Sequence, residues 1–198
     1  SSGLGAKARS IQTLLCSRSA RDALSRKLSV SRPDVVHFHN FSHHLSPSVL
    51  MSGHGTGIAN VVTAHDYKMV APCYLLFRAG GFCDDCAGKR VPLPAVQHQC
   101  IKDSTSKSAV CVVEHVAHRR VYRNEVDAYI APSKVASDLL KRSDSVVSGR
   151  VETVPHGVPV RTAPSPGADG FRVLYMGRLA PEKGVARLIQ AWKDAGLP

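Results

Sequence analysis

Two cations, Arg178 and Lys183, stand five positions apart where an apolar segment gives way to an amphipathic one. Residues 171–176, "FRVLYM", predict a buried strand, Gly177 predicts a turn, and the residues from Pro181 onward predict a helix. A helix N-terminus presents free amide groups, so with two cations beside it the turn would bind an anion such as a diphosphate. The alternative is that the two cations only form ion pairs at the surface.

Polar side chains also follow two predicted strands in the first half of the chain. Residues 33–40, "PDVVHFHN", predict a short buried strand with polar residues, His39 among them, crowded at its C-terminal end. Residues 59–66, "ANVVTAHD", predict a second strand that is apolar until His65 and Asp66. Because ligands of parallel α/β sheets bind at the carboxyl ends of the strands, we expect these three side chains at one ligand-binding edge. We assign an ordinary structural role to three other histidines of this region: His37, His43 and His44.

Strands and helices alternate along the predicted pattern. Two more strands are predicted in 126–133, "VDAYIAPS", and 150–157, "RVETVPHG". Three helices are predicted, each with a serine as N-cap: from Pro47 after Ser46, over 104–122 after Ser104 or Ser106, and over 134–142 after Ser133. This alternation predicts an α/β fold with a Rossmann-like parallel sheet that helices cover on both faces.

The chain is predicted to contain one domain and the beginning of another. Residues 1–157 would form the first domain, and 158–170, rich in proline and glycine, would be a linker. Residues 171–198 would supply the first strand and helix of a second domain. A domain of about 40 residues cannot bury a core of its own, so this second part is expected to be incomplete.

Composition limits the class of partner. The 198 residues carry a formal net charge of +11, which favours an anionic partner: nucleic acid, an acidic membrane face or a phosphorylated substrate. Hydrophobic residues make up 43%, enough for a packed core, yet no apolar run is long enough to span a bilayer. Residues 7–32 predict a basic amphipathic helix or helix pair, either a solvated face or a contact with anionic membrane.

Four of the six cysteines fall within one long loop: Cys73, Cys83, Cys86 and Cys100. One short CxxC chelate with two further thiols is a pattern that binds structural zinc, and His98 is an alternative fourth ligand. Reduced, metal-free thiols explain the pattern equally well. Cys16 and Cys111 stand apart and are predicted to be ordinary buried thiols.

Five segments occur in one order with regular spacing: "PDVVHFHN", "VVTAHDYK", "DAYIAPSKV", "VETVPHGV" and "VLYMGRLAPEKGVARLIQAW". Together they resemble the retaining glycosyltransferases of family 4, which have the two-domain GT-B fold. The block of His65, Asp66 and the cysteines that follow is similar to a bacterial subgroup with a cysteine-bearing insert, associated with capsule, exopolysaccharide or cell-wall glycan synthesis. The resemblance covers about residues 32–192.

The resemblance implies roles for particular residues. Arg178 and Lys183 would bind the diphosphate of a nucleotide-sugar donor. Gly177 and Gly157 would also belong to the donor site, with Gly157 at the crossing between the domains, where a backbone without Cβ can approach a ligand closely. His65 would act at the transferred sugar, and two residues would lie on the acceptor side: His39 and Asp66. The family usually has Asn before the glycine where this chain has His156. Transfer would proceed by attack on the face that the donor phosphate leaves, with that phosphate accepting the proton of the acceptor.

The resemblance also implies partners and a location. The donor would be a nucleotide sugar and the acceptor a glycan or a lipid-linked glycan. Catalysis would require no cofactor, and zinc would be structural. The protein would be cytoplasmic, with peripheral contact at the inner face of the membrane. No nucleic-acid partner is expected.

Members of the family have a strand and a glycine-rich loop before the segment that matches residue 1. They also continue past the segment that matches Pro198, with paired glutamates for the donor, so we expect the chain to be truncated at both ends. Two other functions stay open: a basic, zinc-bearing nucleic-acid-binding module, and a non-catalytic partner of a complete transferase. Only 6% of the residues are aromatic, which disfavours the nucleic-acid-binding module.

Overall fold

The computed structural model describes residues 13–42, 45–159 and 173–196. These fall into two compact units. The larger unit contains Ser1–Leu76 and Asp84–His156, and the smaller contains Phe77–Cys83 and Gly157–Pro198. Most of the predicted linker, 160–170, and the histidines at 43 and 44 lie outside the described residues.

The elements of the described residues are labelled in chain order. The strands are β1 Val35–His39, β2 Ala59–Thr63, β3 Phe77–Arg78, β4 Gly81–Phe82, β5 Ala128–Ala131 and β6 Val151–Thr153. The α-helices are α1 Arg18–Ser31, α2 Pro94–Gln97, α3 Thr105–Glu125, α4 Lys134–Lys141 and α5 Val185–Asp194. Three 3₁₀ helices occupy Pro47–Gly53, Ser148–Arg150 and Pro181–Lys183.

The larger unit is built on a four-stranded parallel sheet with the order β1-β2-β5-β6. All four strands lie where the apolar segments predicted them, so the α/β class and the parallel sheet are confirmed. In the register of β1 with β2, His39 lies opposite Thr63. The strands therefore end together, and the residues that follow them share one edge of the sheet.

The core of this unit lies between the sheet and the helices packed on it. Phe38, Val62 and Tyr129 of the strands are buried together with Leu50 of the first 3₁₀ helix and Leu140 of α4. Burying a large aliphatic or aromatic side chain of this kind contributes about 1.5–3 kcal/mol. Side chains from both strands and helices thus hold the sheet in place, and with it the residues at its carboxyl edge.

Asn60 is a buried polar residue of the core, and its amide groups have partners. The side-chain amide of Asn60 donates hydrogen bonds to the carbonyl oxygens of Leu50 and Glu125, at 2.8 and 2.7 Å. Its backbone N–H donates to the carboxylate of Asp127 at 2.8 Å. These bonds connect the start of β2 to the end of α3. They also satisfy a buried amide, which would cost free energy if it had no partners.

The serine caps predicted from sequence are present. The hydroxyl of Ser104 accepts a hydrogen bond from the N–H of Lys107, and that of Ser133 accepts one from Ala136. Ser46 accepts one from Ser48, but the segment it begins is a 3₁₀ helix and not the α-helix that its proline predicted. A proline suits the first turn of both helix types, so the signal for a helix start does not determine its type.

The smaller unit contains helix α5 but lacks the predicted strand in its described part. Residues 173–176 form no ladder with any described strand. Leu174 and Met176 are 89% and 91% exposed. The prediction of a strand was wrong for these four residues, since an extended segment becomes a strand only when a neighbour pairs with its amide and carbonyl groups.

None of the described helices is both long enough and apolar enough to cross a membrane.

Candidate functional site

A pair of histidines marks the carboxyl edge of the sheet. Nδ1 of His39, the last residue of β1, lies 2.8 Å from Nε2 of His65, two residues past the end of β2. One ring nitrogen donates and the other accepts, so the pair holds one proton between its two rings. The structure thus brings together two residues that sequence analysis had assigned to the same site.

Two further histidines lie against this pair. The His156 ring stacks on the His65 ring, with centroids 5.9 Å apart and an interplanar angle of 11°. The His37 ring contacts that of His39 at 4.1 Å, and its Nε2 lies 2.8 Å from the hydroxyl oxygen of Thr63. The assignment of His37 to an ordinary structural role overlooked this proximity, which the alternation "HFH" on one strand could have indicated.

Two imidazoles of this cluster, those of His65 and His37, favour the neutral form. Burial lowers the pKa of His65, and the neighbouring His39 and His156 lower it further, while Asp66 acts in the opposite direction. Burial and the nearby His39 likewise lower the pKa of His37. A neutral imidazole has one N–H donor and one acceptor nitrogen, so such an edge can exchange hydrogen bonds with the hydroxyl groups of a ligand.

Asp66 begins the turn that follows β2. Its Oδ1 accepts a hydrogen bond from the backbone N–H of Lys68 at 2.9 Å, which is the geometry of an Asx-turn. A cavity of about 20 Å³ borders this turn, with Asn40, Ser42 and His65 among its lining residues. Such a volume accommodates about one water molecule. The predicted acceptor-side residue thus has a clear structural function in the turn.

A set of buried ionisable residues lies next to the turn, and sequence analysis missed it. Its members are Lys68, Glu114, His115 and His118, with the half-buried Cys111 beside them. The spacing of Glu114, His115 and His118 in "EHVAH" already places them within one turn of a helix. Their partner Lys68 follows "HD" in "HDYK", but only the folded chain brings it to the helix.

The predicted donor residues belong to the smaller unit. A guanidinium nitrogen of Arg178 lies 3.3 Å from a carboxylate oxygen of Glu182, and Arg178 remains 73% exposed on its side chain. Lys183 ends the last 3₁₀ helix and is exposed, with Gly184 in the left-handed region behind it. A Cβ added at Gly177 would lie 2.8 Å from the hydroxyl oxygen of Tyr175.

The exposed pair formed by Arg178 corresponds to the ion-pair alternative for this turn, and it leaves the guanidinium accessible to an anion. Gly157 has open space around it, since an added Cβ would meet no atom within 4 Å. The donor-binding role of these residues stays a prediction.

The cysteines form no disulfide, and all six lie in the described part of the chain. Within the larger unit, Cys86 is buried and Cys73 and Cys100 are half-buried, and these three sulfur atoms do not form a cluster of metal-ligand spacing. His98 lies 3.7 Å from a carboxylate oxygen of Asp85. Cys83 belongs to the smaller unit. Zinc binding by the cysteine loop stays a prediction.

Comparison with protein-family models, with curated proteins and with solved structures found no match in any of the three.

Proposed function

We propose that the chain belongs to a retaining glycosyltransferase of the GT-B type, which transfers a sugar from a nucleotide-sugar donor to a glycan or lipid-linked acceptor. The observation that carries the proposal is the hydrogen-bonded pair of His39 and His65 at the carboxyl edge of a parallel sheet. This edge is where α/β proteins bind their ligands. The role of the product in capsule, exopolysaccharide or cell-wall glycan synthesis belongs to the same proposal.

The chemistry assigns different tasks to the two units. Transfer breaks the bond between the sugar C1 and the donor diphosphate and forms a bond from C1 to the acceptor oxygen on the same face. The acceptor proton passes to the leaving phosphate. Arg178 and Lys183 would stabilise the negative charge that the leaving diphosphate gains, as fixed cations do where charge develops.

His65 and His37 suit the sugar and the acceptor better than they suit the diphosphate. With pKa values lowered by burial, His65 and His37 carry no fixed charge near neutral pH. They can therefore donate to and accept from hydroxyl groups without attracting a competing anion. His65, which borders the small cavity, would orient the hydroxyl groups of the sugar or of its acceptor.

The experiment is a ligand titration of the 198-residue chain by NMR, with uridine and guanosine diphosphates and their sugar conjugates at millimolar concentration. We expect shifts at Arg178 with each nucleoside diphosphate, and a further shift of the His65 ring only when a sugar is attached. Arg178→Ala should weaken the binding of the diphosphate at least tenfold, whereas the exposed Lys193→Ala of the same unit should not.

A transfer assay on the native protein completes the test. His65→Ala should lower turnover and leave the affinity for the nucleotide nearly unchanged, because the histidine contacts sugar and not diphosphate. Filter binding to DNA at moderate salt tests the nucleic-acid alternative. Tight binding of DNA, together with no response to any nucleotide sugar, would overturn the glycosyltransferase proposal.

A further inference from the structure

A buried ion pair connects helix α3 to the turn that carries His65 and Asp66. The ammonium nitrogen of Lys68 lies 2.5 Å from a carboxylate oxygen of Glu114, and only 8% and 2% of the two side chains are exposed. Removing two charges from water costs several kcal/mol each, so a pair of this kind is a weak argument for stability. Its position beside the histidine cluster indicates another purpose.

Glu114 has a second contact besides the one with Lys68. The other carboxylate oxygen of Glu114 lies 3.5 Å from Nδ1 of His118, and Nε2 of His118 donates a hydrogen bond to the carbonyl oxygen of Leu15 at 2.8 Å. Burial alone would raise the pKa of Glu114, but the bond with His118 and the charge of Lys68 outweigh it and lower that pKa. Glu114 is therefore a buried anion between two nitrogen groups.

Lys68 is fixed through its backbone as well as its side chain. Its N–H donates to Asp66, its ammonium group also reaches the carbonyl oxygen of Pro72 at 3.4 Å, and its backbone forms a hydrogen bond with the side chain of His115. Glu114 and His115 are adjacent residues of α3, so the helix contacts both ends of this one lysine. His65 lies three residues before Lys68, and Asp66 lies two before it.

The opposite side of the turn is fixed independently. The hydroxyl of Ser143 donates a hydrogen bond to the carbonyl oxygen of Met69. The N–H groups of Val70 and Ala71 both donate to the carbonyl oxygen of Tyr67 at 2.8 Å. With the far side anchored, the attachment of Lys68 to α3 determines how the near side, and hence the His65 ring, is placed.

We propose that Lys68 and Glu114 are positioning residues, whose buried ion pair fixes the turn after β2 so that His65 keeps its hydrogen bond with His39. The importance of that geometry for sugar transfer rests on the proposed function. A methionine and a leucine of similar volume would fill the same space without charge. Replacing a buried ion pair in this way often leaves the stability of the fold unchanged or raises it. Neither replacement could form the ion pair that attaches the turn at position 68 to helix α3.

The test compares the folded wild type with the double variant Lys68→Met/Glu114→Leu. Long-range ¹⁵N–¹H correlation spectra report which nitrogen of each imidazole carries the proton. In the wild type, His39 and His65 should each show one tautomer, because one nitrogen of each ring is fixed in the hydrogen bond that the two rings share. In the double variant, the two rings should show mixed tautomers, and His65 should titrate at a different pH.

A matched control removes another side-chain contact of the same helix. Nδ1 of His54 and a carboxylate oxygen of Glu125 lie 2.9 Å apart at the C-terminal end of α3, where the carbonyl oxygen of Glu125 also accepts a hydrogen bond from the start of β2. His54→Gln/Glu125→Gln should leave both rings of the site in their wild-type tautomers. A folded Lys68→Met/Glu114→Leu protein with unchanged tautomers and titration midpoints would overturn the proposal.

Should the double variant not fold, Glu114→Asp replaces it. This change keeps the charge and shortens the side chain by one methylene, so the ion pair should lengthen and the tautomers should mix. Wild-type spectra of Glu114→Asp would equally overturn the proposal. Since neither measurement uses a donor, a positive result here together with no sugar transfer would reject the proposed function and leave the positioning role in place.

Discussion

Nδ1 of His39 and Nε2 of His65 share a hydrogen bond of 2.8 Å across the carboxyl ends of two neighbouring parallel strands. The strand register produces it, because His39 lies opposite Thr63 and His65 follows Thr63 by two residues. A bond between two imidazoles needs one N–H and one lone pair, so protonation of both rings breaks it. The geometry of the site is therefore sensitive to pH.

His39→Gln should raise the pKa of His65. Burial is the main cause that lowers this pKa, and the neighbouring His39 is the next, so the variant removes the second cause and keeps most of the first. The measurement is the titration of the His65 ring protons by NMR. His156→Gln should raise the same pKa by a smaller amount, because His156 is the weaker neighbour.

The control for these variants is His54→Gln, at an exposed histidine, which should leave the pKa of His65 unchanged. If His39→Gln left the pKa of His65 unchanged, or lowered it, the two rings would not interact as the structure places them.

The sheet could be predicted because its strands are local and strongly apolar. "VVHFH" ends in a histidine, "ANVVT" ends in a threonine that His65 and Asp66 soon follow, and "AYIA" is followed by Pro132 and Ser133. Parallel topology then requires these residues to share an edge. The segment 173–176 has a similar composition, but a strand also depends on a pairing partner elsewhere in the chain. Composition alone does not contain that information.

The buried ionic cluster could not be predicted from sequence. Lys68 and Glu114 are 46 positions apart, and a single Lys or Glu in a sequence is normally on the surface. "EHVAH" showed one helical face with ionisable groups, yet nothing local indicated which face was buried. The stacking of His156 on His65 is equally non-local, since it brings the ends of β2 and β6 together across β5.

The stability of the fold should fall as the pH falls from about 6.5 to about 4. Burial, with a smaller effect of the nearby Lys68 charge, lowers the pKa of His115 from 6.5 to about 4. The unfolded chain thus binds this proton at a higher pH than the folded chain. The stabilising contribution is complete above the unfolded value, and it is lost progressively as the pH drops through this window.

The difference in pKa corresponds to roughly 3 kcal/mol in the free energy of unfolding from this one group. The measurement is urea unfolding between pH 4 and pH 7 for wild type and His115→Gln. The variant should be less stable at pH 7, where it loses a buried hydrogen-bonding group, and its stability should depend less steeply on pH. Parallel pH profiles for the two proteins would show that His115 is not the group responsible.

Zinc, if the cysteine loop binds it, should be present at about one equivalent in protein purified under reducing conditions without chelators. Cys86→Ser should lose the metal, because Cys86 belongs to the short chelate and is buried. Cys111→Ser is the matched control: Cys111 lies in helix α3, where burial raises the pKa of its thiol, and it should not affect the metal content. Elemental analysis that finds no zinc in the wild type would exclude the site.

The basic helix at the start of the chain should bind anionic vesicles if the acceptor is lipid-linked. Helix α1 and its C-cap carry five cations: Arg18, Arg21, Arg26, Lys27 and Arg32. Each Lys or Arg near such a surface contributes about 1 kcal/mol to binding. Co-sedimentation should show binding that salt abolishes, and a variant with Arg26 and Lys27 changed to Gln should bind more weakly. Equal binding to neutral vesicles would contradict the electrostatic interpretation.

Arg178→Ala should strongly reduce sugar transfer by the native protein. A fixed cation that stabilises the departing diphosphate typically contributes about 2–4 kcal/mol to the transition state. The guanidinium is available for this role, since its contact with Glu182 is exposed and exposed ion pairs are weak. Lys183→Ala should have a similar effect.

The double variant Arg178→Ala/Lys183→Ala distinguishes shared from separate roles. Both cations would serve one leaving phosphate, so their losses should not add, and the double variant should transfer sugar only slightly more slowly than the worse single variant. Glu182→Gln frees Arg178 from its surface partner and should preserve or raise the rate, which separates loss of the cation from loss of the ion pair. If Arg178→Ala transferred sugar at the wild-type rate, the turn after Met176 would not hold the diphosphate, and its cations would be surface residues only.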